Sequence, residues 1–355
     1  MISNLNLKQF RSYINQSFEF ENGVNIIVGP NGSGKTNLLE AIYVIATNKT
    51  FKQVTSKDLI NNLNDSTKLT ALDSDQLSRS VVIKNQKEQL SRKYIINQIE
   101  YNRLPYDKSL PVVLFEPNNL NVLGGSPERR RKYLDDLIDK TNPGYDKLIN
   151  KYQRTLVQRN SLLKNDVVKS DDIFVWDIKL TELATLIVGY RNKLIDSLNQ
   201  SINELYNEIA SIKPKYDIEL VYLSKWNEQD YASQMIKHLQ ENLKIDSLLG
   251  YTQTGPHKDD FRVNLNKKDS LLVASRGENR TLVLALKIME LKQLEEVRQQ
   301  KPILLLDDVF SELDGKRRKH LTNLINNYQT FITTTDADLV INNFNDSYIV
   351  AIKSN

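Results

Sequence analysis

Val24-Asn25-Ile26-Ile27-Val28-Gly29-Pro30-Asn31-Gly32-Ser33-Gly34-Lys35-Thr36 is the stretch that decides how this chain folds. Its first five residues form a short, mostly β-branched run that stops at a glycine, the composition of a buried strand. After it, Leu38, Leu39, Ile42 and Ile45 return at steps of three and four, which puts them on one face of a helix. Residues 29–36 fit G-x-x-x-x-G-K-[ST], and a strand before and a helix after are the context in which that motif has physical meaning. Glycines let successive backbone N–H groups turn inward on an anion, and the helix start adds the positive end of its dipole. In this reading Gly29, Pro30, Asn31, Gly32, Ser33 and Gly34 wrap the phosphates of a nucleotide. Lys35 reaches the β- and γ-phosphates, and Thr36 ligates Mg²⁺.

A second segment supplies what the loop lacks. Ile303-Leu304-Leu305-Leu306-Asp307-Asp308 is an apolar strand that delivers two carboxylates at its C-terminal end, the edge at which open α/β sheets bind ligands. Asp307 is expected to hold Mg²⁺. Asp308 is expected to orient or deprotonate the attacking water, and with Lys35 it forms the catalytic pair. Further short apolar runs at 111–115 and 330–333 have the same buried-strand character. The two chain ends are therefore expected to share one α/β core.

Between them the periodicity changes. Trp176, Leu180, Leu183, Ile187, Tyr190, Leu194, Leu198, Ile202, Leu205 and Ile209 recur at helical steps and predict one long amphipathic helix. Leu148, Tyr152, Leu156 and Leu163 predict a second helix that pairs with it. The expected division is 1–129 as the N-terminal part of the core, 130–245 as an inserted helical, coiled-coil-like subdomain, and 246–355 as the C-terminal part. The polar stretch 61–80 reads as a loop or hairpin.

Bulk properties narrow the classes of function. With 40% hydrophobic and 26% charged residues, the 355-residue chain has an ordinary globular composition. It has no cysteine, which excludes disulfides and thiolate metal sites, and its three scattered histidines argue against a histidine-based one. No run approaches the roughly 20 apolar residues of a membrane span, so a cytoplasmic protein without a membrane partner is expected. The formal charge of +4 permits contact with nucleic acid without requiring it.

Ala274-Ser275-Arg276-Gly277-Glu278-Asn279 precedes a helical run over 282–294 and stands shortly before the acidic strand. A serine and a glycine at a helix start form an anion-binding N-terminus, so Ser275, Arg276 and Gly277 are candidates to meet a γ-phosphate. With Ser311-Glu312-Leu313-Asp314 behind the acid pair, the order resembles that of ATP-binding-cassette ATPases, in the compact branch related to chromosome-maintenance proteins. Four more blocks narrow the resemblance: Leu7-Lys8-Gln9-Phe10-Arg11-Ser12-Tyr13, the stretch from Gly124-Gly125-Ser126-Pro127 through Arg131-Lys132-Tyr133-Leu134-Asp135, Thr254-Gly255-Pro256-His257-Lys258-Asp259-Asp260, and Leu305 to Asp314. Taken together they resemble the RecF family of bacterial recombinational-repair ATPases, nearly end to end.

That resemblance implies an ABC-type P-loop NTPase core with a mixed sheet, and an ATP-dependent homodimer. In the dimer, Ser275 of one protomer closes on the triphosphate held by Lys35 of the other. It also implies slow ATP hydrolysis stimulated by DNA, binding to double-stranded DNA at gap junctions, work with RecR and RecO to load recombinase, and a place at the nucleoid. A transporter-type subunit and a nucleotide-gated scaffold with little hydrolysis are the rival readings.

The chain departs from the cassette pattern at three places: Thr333-Thr334-Thr335 stands where many have a histidine, Glu116-Pro117-Asn118-Asn119 where a glutamine loop is expected, and Asp308 where transporter relatives have glutamate. The run Arg129-Arg130-Arg131-Lys132 reads equally as a phosphate contact or a solvated helix start. For Lys316-Arg317-Arg318-Lys319 the leading reading is that the run complements a helix dipole or pairs with acids, and His257 with Asp259 and Asp260 reads as a tight loop supporting the ATPase core rather than a metal site.

Overall fold

Five short apolar segments from both ends of the chain pair side by side, and this pairing organises the rest. The computed structural model describes residues 1–52, 55–74, 76–86, 89–164, 170–210, 215–335, 344 and 346–353. In chain order the strands are β1 (Ile2–Phe10), β2 (Tyr13–Glu19), β3 (Val24–Val28), β4 (Ser66–Asp73), β5 (Ser78–Gln86), β6 (Gln89–Ile96), β7 (Ile99–Tyr101), β8 (Val112–Phe115), β9 (Ile218–Leu223), β10 (Asp260–Leu265), β11 (Lys268–Asp269), β12 (Ile303–Asp307), β13 (Thr330–Thr334) and β14 (Ser347–Ala351). The helices are α1 (Lys35–Thr47), α2 (Pro127–Thr141), α3 (Tyr145–Leu163), α4 (Ser170–Asn199), α5 (Ile202–Ala210), α6 (Tyr231–Glu241), α7 (Leu243–Leu249), α8 (Ser270–Val273), α9 (Arg276–Arg298), α10 (Val309–Glu312) and α11 (Gly315–Ile325).

Two compact units result: Met1–Asn119 with Leu291–Asn355, and Leu120–Glu290. In the first unit, β14, β3, β13, β12 and β8 lie side by side in that order, and every pair is parallel. The strands β3, β12 and β13 are almost wholly buried, as the unbroken apolar runs of a parallel sheet covered on both faces require. A second sheet, in the order β2, β1, β4, β5, β6, β7, is antiparallel throughout. The mixed strand directions of the core are thus sorted into two sheets. One hydrophobic cluster joins them: Leu5, Leu7, Leu69, Val81, Ile83 and Tyr94 of the antiparallel sheet meet Leu38, Leu39, Ile42 and Ile45 of α1, with Leu305 and Phe331 of the parallel sheet. The polar stretch 61–80 contains β4 and enters β5, so it forms a hairpin within the sheet.

The second unit is helical but carries its own sheet, in which β9 and β10 pair antiparallel and β11 flanks β10. Because β9 and β10 come from residues 218–223 and 260–265, they bind the segment beyond 245 to this unit. Its limits accordingly fall after Asn119 and after Glu290, rather than at 130 and 245. The expected single long helix is broken after Asn199. There the Asn199 amide leaves the helical pattern and docks on β9, donating from Nδ2 to the Leu220 carbonyl at 2.8 Å and accepting from the Leu220 N–H at 2.7 Å. Helical periodicity continues across the break, so the sequence pattern hides it. The helices α3 and α4 pack through Tyr152, Leu156, Leu180, Ala184 and Ile187, and fully buried Arg159 on α3 pairs with Asp177 on α4 at 2.6 Å.

Within this unit, residues 254–260 form a loop that is held by several side-chain contacts. His257 Nδ1 meets the Tyr152 hydroxyl at 2.6 Å and His257 Nε2 meets the Thr252 carbonyl at 3.1 Å. The Tyr222 hydroxyl donates to Asp259 at 2.9 Å. Asp260 is spent on a bidentate bond from Arg130 at 2.6 and 2.8 Å, which leaves this histidine and these carboxylates with other partners than a metal. Three of the four residues of the basic run have partners here, and Arg129 is exposed. Arg130 is buried and Arg131 donates to the Asp259 carbonyl, while Lys132 pairs with Asp136 on its own helix.

Burial pushes His257 down to about 4 and pushes Asp259 up to about 6. As pH falls from 7 to 5 the unfolded chain protonates His257 but the folded one does not, which lowers stability. Over the same interval folded Asp259 takes up a proton that the unfolded chain does not, which raises it. His257→Gln is therefore expected to shift the stability difference between pH 5 and pH 7 by about 1–2 kcal/mol in favour of pH 5, and Asp259→Asn to shift it the opposite way. Urea midpoints at the two pH values measure both.

Candidate nucleotide site

The loop after β3 is shaped by its glycines. Gly32 and Gly34 have φ of 79° and 103°, in the left-handed region that side chains disfavour. A Cβ on Gly34 would also come within 3.0 Å of the Ser12 and Tyr13 hydroxyls, and the Tyr13 hydroxyl donates to the Gly34 carbonyl at 3.0 Å. The turn between β1 and β2 thereby presses on the loop from the side. Gly29 is needed for room alone, since its Cβ would meet the Ser33 hydroxyl at 2.6 Å and the Ile352 carbonyl at 2.7 Å.

Helix α1 begins at Lys35 with Gly34 as its N-cap and no side-chain cap, and its first turn therefore offers N–H groups that have no intrahelical acceptor. The Lys35 ammonium folds back over the loop and donates to the carbonyls of Gly29 and Pro30 at 2.7 and 3.0 Å. Partial burial lowers its pKa, and Asp308 and Asp307 oppose that shift.

From the other end of the chain, β12 ends at Asp307. The register aligns Asp307 with Thr333 on β13 and Thr333 with Ile27 on β3, which sets the acid level with the start of the loop. Asp307 Oδ1 receives two hydroxyls, Thr36 at 2.9 Å and Thr333 at 2.7 Å. The Thr333 hydroxyl in turn accepts the Asp308 N–H at 3.0 Å. Asp308 sits at φ 53°, a left-handed conformation that short Asp and Asn side chains tolerate far better than longer ones. Burial and then the neighbouring Asp307 raise the Asp308 pKa, with Lys35 opposing, and a raised pKa makes the carboxylate a better proton acceptor.

The donor set suits a magnesium triphosphate. Thr36 and Asp307 are hard oxygens already at mutual hydrogen-bond distance, and among the described residues no group of three acids or histidines offers a cage. Mg²⁺ commonly takes one or two protein oxygens and completes its shell with phosphates and water. Lys35 and the unbonded amides of α1 are the cationic groups that would face such an anion.

The other sequence candidates fall as follows. Ser275, Arg276 and Gly277 belong to the second unit, at the start of α9, with Ser275 and Arg276 exposed. Ser275 and Glu278 cap each other reciprocally, the Ser275 N–H donating at 2.7 Å and its hydroxyl accepting the Glu278 N–H at 3.2 Å. After β8, the Asn119 side chain and N–H close a turn on the backbone of Glu116, both at 2.9 Å. In the second basic run, Arg317 is tied to Asp314 and Arg318 to the Leu313 carbonyl. Sequence reasoning gave Thr333 no role beyond a missing histidine. It also passed over the buried Glu40 of α1, which Arg11 grips with bonds of 2.9 and 3.0 Å and which fixes the β1–β2 turn beside the loop. Only strand register and long-range packing reveal these two.

A parallel sheet with a glycine loop at one strand end, and a hydroxyl-bridged acid pair two strands away, defines an ABC-type P-loop NTPase core. The whole chain, residues 1–355, matches the family model described as RecF/RecN/SMC N terminal domain. It is 32% identical over 337 residues to the DNA replication and repair protein RecF of Clostridium beijerinckii, covering 94% of this chain and 91% of that one. It is 35% identical over 341 residues to the RecF of Clostridium perfringens strain 13, covering 94% and 92%. A solved structure of the recombination mediator protein RecF-ATP in the RecFOR pathway superposes with a TM-score of 0.83 at 30% identity, covering 94% of this chain and 92% of that one. The chain belongs to the RecF family.

Gly29→Ala is expected to destabilise the protein by about 1–3 kcal/mol by overpacking against Ser33 and Ile352. Asp308→Asn, which keeps a side chain tolerant of positive φ and removes a like charge beside Asp307, is expected to leave the melting temperature unchanged or higher. Thermal melts of the two variants measure the contrast.

Proposed function

We propose that this chain binds ATP with Mg²⁺ at residues 29–36, Asp307 and Asp308, and hydrolyses it slowly as a switch in DNA repair and recombination. The observation that carries the reading is the Asp307 carboxylate joined to Thr36, which brings the metal-ligating hydroxyl and acid of such enzymes together from opposite ends of the chain. Thr36 and Asp307 would hold Mg²⁺, which when bound neutralises charge across the β- and γ-phosphate oxygens. Lys35 exchanges its two loop carbonyls for phosphate oxygens. Asp308, held by its backbone bond to Thr333, orients the attacking water and accepts its proton.

Ser275, Arg276 and Gly277 supply a second, separate anion-binding helix start, and it closes on the γ-phosphate held by a second protomer. ATP then favours the dimer only through contacts that the dimer alone makes, and hydrolysis releases them. Curated relatives named DNA replication and repair protein, and a solved relative described as a recombination mediator of the RecFOR pathway, support the biological side. In that setting the dimer binds duplex DNA beside single-strand gaps, where DNA stimulates turnover, and with RecR and RecO it promotes recombinase loading from the cytoplasmic nucleoid. No helix among the described residues is long and apolar enough to cross a membrane.

Three variants test the reading by nucleotide binding, turnover and mass in solution. Lys35→Ala is expected to lose ATP binding and ATP-dependent dimers. Asp308→Asn should retain both while turnover falls by about two orders of magnitude or more; unchanged turnover would favour a nucleotide-gated scaffold instead. Ser275→Arg should bind ATP normally and remain monomeric, and an ATP-dependent dimer formed by that variant would defeat the two-protomer site.

A further inference from the structure

We propose that the solvent face of the antiparallel sheet, through Lys8, Lys68, Lys84 and Lys93, is a docking surface for the phosphate backbone of duplex DNA. This inference rests on the DNA-binding reading above and assigns it a place. Strand register creates the surface. Asn15 lies opposite Lys8, Lys8 opposite Lys68, Lys68 opposite Val82, and Val82 opposite Lys93, so one transverse row crosses β2, β1, β4, β5 and β6. Lys84 stands two residues along β5 from that row, between Ser66 and Ser91. The opposite face of the same strands carries Leu7, Leu69, Val81, Ile83 and Tyr94 in the hydrophobic cluster, and the four lysines are exposed.

Two features set this face apart from an ordinary solvated surface. First, Lys8 and Lys68 stand directly opposite each other on neighbouring antiparallel strands, where like charges destabilise a sheet. Among the described residues no carboxylate lies within ion-pair distance of Lys8, Lys68 or Lys84 to relieve them. Second, acids on this face are few. Glu100 is taken by Lys93 at 2.7 Å, in a half-exposed pair that contributes little and is readily exchanged. Glu19 is aligned with Asn4, four residues and about 13 Å along β1 from Lys8. Short polar side chains fill the gaps, with Asn15, Ser17, Ser66 and Ser91 all exposed and able to bond phosphate oxygens.

The dimensions suit a duplex. Three strand spacings place Lys8 and Lys93 about 14 Å apart. A duplex presents about eight phosphate charges over that length of axis, enough for every cation of the face to find one. A polyanion would also remove the repulsion between Lys8 and Lys68, which the sheet carries uncompensated in its absence.

The test uses the full chain with ATP and a fluorescent duplex, with binding measured between about 50 and 200 mM salt. Combining Lys8→Gln, Lys68→Gln and Lys84→Gln is expected to make the log–log salt slope shallower by about 0.9 per lysine and to weaken binding on the order of tenfold or more. Lys8→Gln alone keeps the other three lysines and relieves the opposed pair. It should flatten the slope by about 0.9 with an unchanged or higher melting temperature. Duplex binding with an unaltered slope in both variants overturns this inference and leaves the DNA-binding reading intact. Failure of the unsubstituted chain to bind duplex overturns both. Retained duplex binding in the triple variant together with lost retention on phosphatidylserine vesicles would assign the face to a membrane surface and also overturn it.

Discussion

One carboxylate oxygen ties the two ends of this molecule together. Asp307 Oδ1 accepts a hydroxyl from Thr36 at the start of α1, 271 residues away, and another from Thr333 on the neighbouring strand β13. Each bond is short and partly buried, so loss of either hydroxyl leaves the acid with a single partner beside a second acid. The site needs this bond for position, because the loop comes from one strand end and the acids from another, and β13 stands between them as spacer and donor.

Conformation and charge at Asp308 follow from that bridge. Its N–H is fixed to Thr333 while its φ is held at 53°, a conformation that a packed neighbourhood must enforce. The same neighbourhood places two acids within reach of Lys35, whose charge offsets part of their mutual repulsion and whose own protonated form they support. Loop, lysine and acids are therefore one electrostatic unit before any ligand arrives. These groups already hold one another in place, which is the kind of preorganisation that electrostatic stabilisation of a reacting group calls for.

Much of this was legible in the residues because it is local. The run 24–36 carries strand, loop and helix start within thirteen adjacent positions, and 303–308 joins an apolar strand to its acids. What escaped depends on partners distant in the chain. Thr333 reads as an ordinary strand residue until the register sets it against Asp307. The break after Asn199 is invisible to helical periodicity because it is made by a strand some twenty residues later. Likewise, the segment between 246 and 290 joins the second unit through pairing of β9 with β10, two strands whose short alternating patterns do not announce each other. The family blocks compensated where local physics was mute, since Arg11 and Tyr13 fell inside a recognised stretch although nothing in their spacing revealed contact with the loop.

The strand that leads into the phosphate loop is bordered on both sides by strands from the far end of the chain, β13 and β14. During synthesis β3 leaves the ribosome about 300 residues before either neighbour exists. At translation speeds of roughly 5–20 residues per second, that interval is about 15–60 s. Throughout it, an apolar strand has two open edges, the form most prone to pairing with the wrong chain. The loop strand therefore stays unpaired until nearly the whole chain has been made, and the site it carries is among the last parts of the molecule to come into being.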